Sequence, residues 1–390
     1  MKTVSITKKF FLLLIFVSIT AFVGCSKGIT KPTVPKENKE TTKKEEEKSP
    51  YSDLKIGVVN IGSSKDDAGY TYTHTNGIKY MMSFLKLKNE QIVYQNNVPD
   101  NNPNSIRRAI QKCVDDGCKI IFTTSYGFKD VTLEMANKYP DIYFSHCSGN
   151  LSNGKNMNRY FGRVYQGFYL AGIAAGLKTK SNKIGFVSAF GKKGSESAYC
   201  LNAFAMGAES VNKKAQVYTY VINCWDDEKK ERVAAEELIK LGIDVLGQDT
   251  DSSTPQIVAQ DNEIFSVGYN SDASKDAPKS ALLSVVWNWN YYYTETVQNI
   301  IEKKWDGSNY FGGLKESTIN ITELADFNHP DAQKEIDKVS NKIKDGEWDV
   351  FTGKIVTNTG KVIGQEGKSL ADDDIQFKTN WLYRNIKEVK

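Results

Sequence analysis

The pattern Lys-Ile-Gly-x-Val occurs twice, in "LKIGVVNIG" starting at Leu54 and in "NKIGFVSAF" starting at Asn182, and this repetition constrains the fold more than any other feature. Each copy is a short β-branched run of the kind found in a strand buried on both faces. Each leads through a polar, glycine-containing loop into a helical pattern, Tyr72 to Leu85 in the first copy and Ser197 to Val211 in the second. The copies stay in step. "DDGCKIIFTT" (Asp115 to Thr124) answers "KLGIDVLGQD" (Lys240 to Asp249), each reading as a helix end, a glycine cap and a buried strand. "PDIYFSHC" from Pro140 answers "NEIFSVGYN" from Asn262. Lys55 to Ile120 spans 65 residues and Lys183 to Val245 spans 62. Two βα arrays with one rhythm predict an α/β chain of two doubly wound lobes, each built on a mostly parallel sheet.

In such sheets ligands bind beyond the carboxyl ends of the strands. Two facing lobes place those ends across a cleft, at strand ends that carry Asp67, Tyr126, Asn202, Trp225, Asp249, Asn270 and Trp287. The loops there pair flat aromatics with carboxylates and amides. "KDDAGYTY" puts Asp67 and Tyr70 at a helix N-terminus, and "INCWDDEKKE" puts Trp225 at a strand-to-helix junction. "VVWNWNYYY" packs Trp287, Trp289 and three tyrosines into seven residues. Nucleobases stack on such rings at about 1–3 kcal/mol each, and a carboxylate accepts two hydrogen bonds from a ribose or a base edge. Sugars stack on Trp and Tyr as well, so composition leaves both classes open.

Catalytic patterns are missing from the same loops. His74, His146 and His329 are scattered, with no spacing suited to a metal. No GxSxG or GxGxxG occurs, "GKKG" at Gly191 reads as a turn, and His146 and Cys147 are adjacent in sequence without being set up for activation. A binding protein without metal or cofactor is expected. Besides Cys25 there are five cysteines, an odd number with no CxxC pair, and they read as buried free thiols.

The N-terminus reads as an export signal. Lys2, Lys8 and Lys9 precede an apolar run, Phe10 to Val23, that is too short to span a bilayer. Gly24 followed by Cys25 resembles the lipobox of bacterial lipoproteins, in which the cysteine is acylated and becomes the new N-terminus. Ser26 to Pro50 holds no aromatic residue and is rich in Lys, Glu, Thr and Pro, a tether composition. The expected organisation is a signal over 1–24 and a lipidated tether over 25–52. An N-terminal lobe from 53–159 and 272–308 and a C-terminal lobe from 160–271 and 309–390 follow. The 51 basic and 47 acidic residues give +4, and loss of the leader's three lysines leaves +1. A nucleic-acid binder needs a basic surface, so that class is disfavoured.

"DDAGYTYTHTNGIKY", "NRYFGRVYQGFYLAGIAAG", "NAFAMGAESVN", "CWDDEKKERVAAEELIKLGIDVLGQDTDS", "SVGYNSDA" and "LLSVVWNWNYYY" resemble the basic membrane protein family, over about Lys55 to Lys304. These are lipoprotein substrate-binding components of ABC importers, similar to the purine nucleoside receptor. The resemblance implies a type I periplasmic-binding-protein fold with three hinge crossings and a purine ligand held between aromatics. By position, Tyr70 falls where the family stacks a base, and Asp67 matches an acidic loop residue. Thr71 replaces an Asn, Asn270 replaces an Asp for ribose, Asp272 keeps a second acid, and Trp287 replaces a ribose-reaching Lys. The last two exchanges point to a free base or modified nucleoside over an intact ribose. The expected partners are a small-molecule ligand, an ABC permease and the membrane that holds a lipid-anchored monomer. A sensor lipoprotein signalling to a membrane kinase, or a sugar-binding receptor of the same fold, is the alternative for the same cleft.

Overall fold

The computed structural model describes residues 49–389; the leader, Cys25 and nearly all of the expected tether lie outside the described residues. The first copy of the repeat forms β1 (Ile56–Val59), α1 (Gly69–Leu85), β2 (Ile92–Gln95), α2 (Pro103–Asp115), β3 (Ile120–Thr123), α3 (Lys129–Lys138) and β4 (Tyr143–Cys147), and β5 (Met157–Gly162) follows. The second copy runs from α4 (Val164–Lys178) through β6 (Lys183–Ser188), α5 (Ser195–Val211), β7 (Gln216–Val221), α6 (Glu228–Ile239), β8 (Val245–Gln248), α7 (Thr254–Asp261) and β9 (Phe265–Asn270) to β10 (Ala281–Trp287). Next come α8 (Asn290–Ile301), β11 (Tyr310–Gly312), β12 (Ile319–Ile321), α9 (Ala332–Lys344), the hairpin β13 (Ile355–Val356) and β14 (Val362–Ile363), α10 (Asp372–Lys378) and β15 (Ile386–Glu388). α1 and α5 begin three and two residues before the sequence pattern suggests, which puts Tyr70 and Glu196 in their first turns.

One sheet has the order β2-β1-β3-β4-β5-β11 and the other β15-β7-β6-β8-β9-β10-β12. The repeat is thus a repeat of topology. The isoleucine of each motif lies in a strand flanked on both sides, Ile56 against Ile92 and Ile120, Ile184 against Val217 and Val245. The motif's glycine has a packing cause. A Cβ on Gly57 would come within 2.8 Å of the Cys113 side chain on α2, and one on Gly185 would collide with Ile243 and Leu246. Only a bare backbone lets the layer above each sheet come that close.

Local signals set the helix ends. Asn102 accepts from the Ser105 amide at 3.1 Å with Pro103 just inside α2, and Asp227 accepts from the Lys230 amide at 3.1 Å at the start of α6. Gly117 and Gly242 follow α2 and α6 at φ +83° and +77°, the left-handed position the glycine caps predicted. α4 and α5 are buried along most of their length. Cβ atoms on Gly172 or Gly207 would strike the backbone carbonyls of Phe204 or Tyr169, so the two helices touch main chain to main chain.

The chain passes between lobes three times, from β5 into α4 at Arg163, from β10 into α8 at Asn288, and from β11 to β12 through residues 313–318. This corrects the expected boundaries. Residues 272–287 do not return to the first lobe, because β10 pairs in parallel with β9 and buries Leu282, Leu283 and Val285 in the second sheet. The stretch 309–390 is not wholly in the second lobe either, since β11 pairs with β5. The C-terminal segment finishes the second lobe, with β15 added beside β7. Cys113, Cys118, Cys147 and Cys200 are buried free thiols, and Cys224 is half-buried. No helix among the described residues is long and apolar enough to cross a membrane.

Candidate ligand site between the lobes

The carboxyl ends of both sheets meet at the start of α1. A Cβ on Gly69 would lie 3.3 Å from the Asp251 carbonyl oxygen of the other lobe, which fixes how close the two lips come. Tyr70, next in sequence, is half-buried. Its hydroxyl donates to Cys147 Sγ at 3.4 Å, and its ring stands edge-on to His74 at 4.6 Å. Burial lifts the Tyr70 hydroxyl and the Cys147 thiol well above their usual values, so both stay protonated. Burial also lowers His74 from 6.5 to about 3, and its Nδ1 lies 2.7 Å from the Tyr293 hydroxyl. The first-lobe wall is aromatic and uncharged.

The second-lobe wall is acidic. Glu196, half-buried in the first turn of α5, accepts from the Tyr269 hydroxyl at 3.4 Å. Trp287 Nε1 donates to the Tyr269 hydroxyl at 3.2 Å and to Asn270 Oδ1 at 3.1 Å, and Asn270 Nδ2 donates to Asp251 Oδ1 at 2.7 Å. Asn270 holds this posture at φ +64°, a conformation Asn tolerates better than most residues. Asp249 accepts from the Ala189 amide at 2.7 Å. Burial, reinforced by the charges of Asp249 and Asp251, raises Glu196 from 4.5 to about 8. Burial likewise raises Asp251 from 3.8 to about 8, against the lowering effect of Asn270. Asp249 rises to about 6, again through burial. The charge of Glu196, on the other lobe, adds to the rise of the Tyr70 hydroxyl, after burial and Cys147.

Several residues expected at the site stand elsewhere. Asn202 is fully buried inside the second lobe; its amide donates to the Trp381 carbonyl at 2.9 Å and accepts from the Tyr383 amide at 2.7 Å, which fastens the C-terminal segment. Thr71 Oγ1 accepts from the Gly62 amide at 3.2 Å and shapes the β1–α1 loop. Asp272 caps the turn after β9 through the Ser274 amide at 3.0 Å. Trp287 is core: 7% exposed, it stacks on Trp289 at 4.9 Å and 10°, and Trp289 stacks on His74 at 5.1 Å and 13°. Tyr126 is 52% exposed, with Lys129 Nζ 4.3 Å from its ring centroid, and Asp67 is exposed beside α1. Trp225 packs edge-on to Phe190 at 5.2 Å, and its carbonyl accepts from the Asp251 amide at 2.9 Å, which places it at the lip. Tyr70, Trp225, Asp249 and Asn270 are therefore brought to the cleft. Glu196, Asp251 and Tyr269 join them without having been singled out in the sequence. The "QDTDS" strand end was the available signal for Asp251; the sequence pattern, which starts the helix at Ser197, leaves Glu196 out of it.

Among the described residues no three His, Cys, Asp or Glu side chains come together as metal ligands. Two doubly wound lobes joined by three crossings, with facing strand ends, define the type I periplasmic-binding-protein fold. The chain belongs to the Bmp family, described as PnrA-like ABC transporter substrate-binding proteins, whose sequence profile it matches over residues 54–352. That family is one of receptors and not of enzymes. A purine-binding protein of Brucella abortus is 32% identical over 336 residues, covering 86% of this chain and 93% of the relative. A Haloferax volcanii protein provisionally named as an ABC transporter glucose-binding protein is 32% identical over 64% of this chain and 63% of its own length. In structure, an ABC transporter solute-binding protein from Conexibacter woesei superposes with a TM-score of 0.63 at 17% identity, over 76% of this chain and 98% of that one, a likeness of fold alone.

Proposed function

We propose that this chain captures a purine base or nucleoside in the interlobe cleft and delivers it to an ABC permease, anchored to the outer face of the cell membrane through acylated Cys25. The observation that carries the reading is the meeting of the Tyr70 end of α1 with the second-lobe acids: Gly69 faces the Asp251 backbone, and Glu196 is near enough for its charge to act on the Tyr70 hydroxyl. A ring offers stacking. A carboxyl that keeps its proton near neutral pH offers an O–H donor beside a carbonyl acceptor, and a purine edge presents the complementary pair. A charged carboxylate offers acceptors only, which suits sugar hydroxyls better. The purine-binding relative supports the same choice. The glucose-binding relative favours a second reading, a sugar receptor using the same acids.

A thermal-shift series with adenine, hypoxanthine, guanosine, inosine and glucose tests the proposal. A purine at a hundred times its dissociation constant adds about 2.7 kcal/mol of stability. A shift with glucose and none with any purine would establish the sugar reading instead.

A further inference from the structure

We infer that an exposed aromatic face on α1 and α8 beds on the anionic surface of a lipid bilayer and holds the first lobe beside the membrane. Phe84 is 58% exposed, Tyr291 55% and Tyr80 37%. They form one patch, with Tyr80 packed on Phe84 at 6.1 Å and 20° and on Tyr291 at 6.2 Å and 57°. Tyr80 and Tyr291 each join an apolar ring to a polar hydroxyl, the combination that favours the bilayer–water interface, and Phe84 adds apolar area beside them. Lys79, Lys86 and Lys88, all exposed, lie on α1 and the turn after it, against the exposed acids Glu90 on that segment and Glu295 one turn after Tyr291 on α8. Such lysines are drawn to anionic headgroups within a Debye length.

The path of the chain selects this occupant over others. Gln91 ties the turn after α1 to the start of the described chain: its Oε1 accepts from the Lys88 amide at 2.9 Å, and its Nε2 donates to the carbonyls of Tyr51 at 2.7 Å and Leu54 at 2.8 Å. The chain therefore enters the lobe beside the end of α1 that carries Phe84. Cys25 lies 24 residues before Ser49, so an anchor at Cys25 is joined by a short stretch of chain to the same end of the lobe. The patch is also clear of the cleft, because Tyr70 and Phe84 are separated by about 21 Å along the helix. Three part-exposed rings fall short of the roughly 800 Å² per partner that a stable protein interface takes, which disfavours a second copy. The inference rests on the membrane-anchored reading, but its test does not need the anchor.

The test uses the acyl-free chain from Ser26 onward, which keeps the whole compact unit Lys48–Lys390. It is sedimented with vesicles of phosphatidylcholine alone and of phosphatidylcholine and phosphatidylglycerol in equal parts. The expected result is sedimentation with the anionic vesicles, weakened by salt and reduced about fivefold or more by Phe84→Ala with Tyr291→Ala. Lys79→Glu with Lys86→Glu should give the same loss while leaving the aromatic packing untouched. Purine-induced thermal shifts of both variants should match the parent, so a failed receptor reading and a failed membrane face show up separately. No sedimentation of the parent, or equal sedimentation of both variants, would overturn the inference. So would a dimer in analytical ultracentrifugation that Phe84→Ala dissolves, which would give the patch to a second copy.

Discussion

Replacing Glu196 by Gln should make the protein more stable at pH 8 and nearly leave it unchanged at pH 5. The sign follows from the raised carboxyl. An acid whose folded pKa exceeds its unfolded value keeps a proton in the folded state that the unfolded chain has already released. Between 4.5 and about 8 for Glu196, the folded protein binds one more proton, so stability falls as pH rises through that window. At about 1.36 kcal/mol per unit the loss from this group is on the order of 4 kcal/mol at pH 8. Glutamine has the shape of the protonated acid and does not titrate, so the variant escapes the loss. With an unfolding entropy of ~2.1 cal/mol/K per residue, a domain of this size turns 4 kcal/mol into a Tm difference of about 6 °C. Asp251, raised in the same direction, keeps some pH dependence in the variant. The assay is thermal melting of both proteins at pH 5, 6.5 and 8 without added ligand. Parallel Tm curves across that range would show that Glu196 ionises freely in the fold, and the donor–acceptor argument for a purine edge would go with it.

Tyr70→Ala should weaken purine binding by about 1–3 kcal/mol in calorimetry while Tyr70→Phe retains most of it; equal losses would make the hydroxyl, not the ring, the contact. Trp287→Ala should lower stability by about 3–5 kcal/mol through loss of the stack on Trp289, and denaturant unfolding with an unchanged midpoint would return Trp287 to the cleft wall. Purine affinity should decline above pH 8 as Glu196 and Asp251 lose their protons, which isothermal titration at pH 6.5 and 9 checks; a rising affinity would favour carboxylate contacts to hydroxyls. Cys25→Ala should release the protein from membranes, and undiminished retention with no difference in fatty-acid labelling would remove the anchor.

The architecture was legible because it repeats. Ile56 and Ile184 each needed only a β-branched neighbourhood and a tolerant glycine to mark the middle of a sheet, and Gly117 and Gly242 needed only their left-handed backbone. These are local requirements, and local sequence carries them. The boundary near residue 272 was not legible. "ALLSVV" reads as a buried strand in either lobe, and the choice of sheet depends on pairing with β9. The same holds for β11, three residues long and paired across a gap of about 150 positions with β5.

The site was legible by loop and not by residue, for a reason that Asn202 and Glu196 show together. Both sit on α5, six positions apart, and 3.6 residues per turn sets six positions about 120° apart, on different faces. One face meets the C-terminal segment, whose Trp381 and Tyr383 backbone groups consume the Asn202 amide. The other meets Tyr269 and looks across to Tyr70. Nothing within α5 says which face is which, because the answer comes from a segment about 180 residues later. Trp287 was misplaced by the same logic: its indole was credited to the cleft, yet Trp289 two residues on draws it into a stack that runs through the β10–α8 crossing to His74. That stack places Trp287 one step behind the cleft. Its indole N–H holds Tyr269 and Asn270, which in turn hydrogen-bond Glu196 and Asp251, so a tryptophan at the hinge sets the posture of the second-lobe acids.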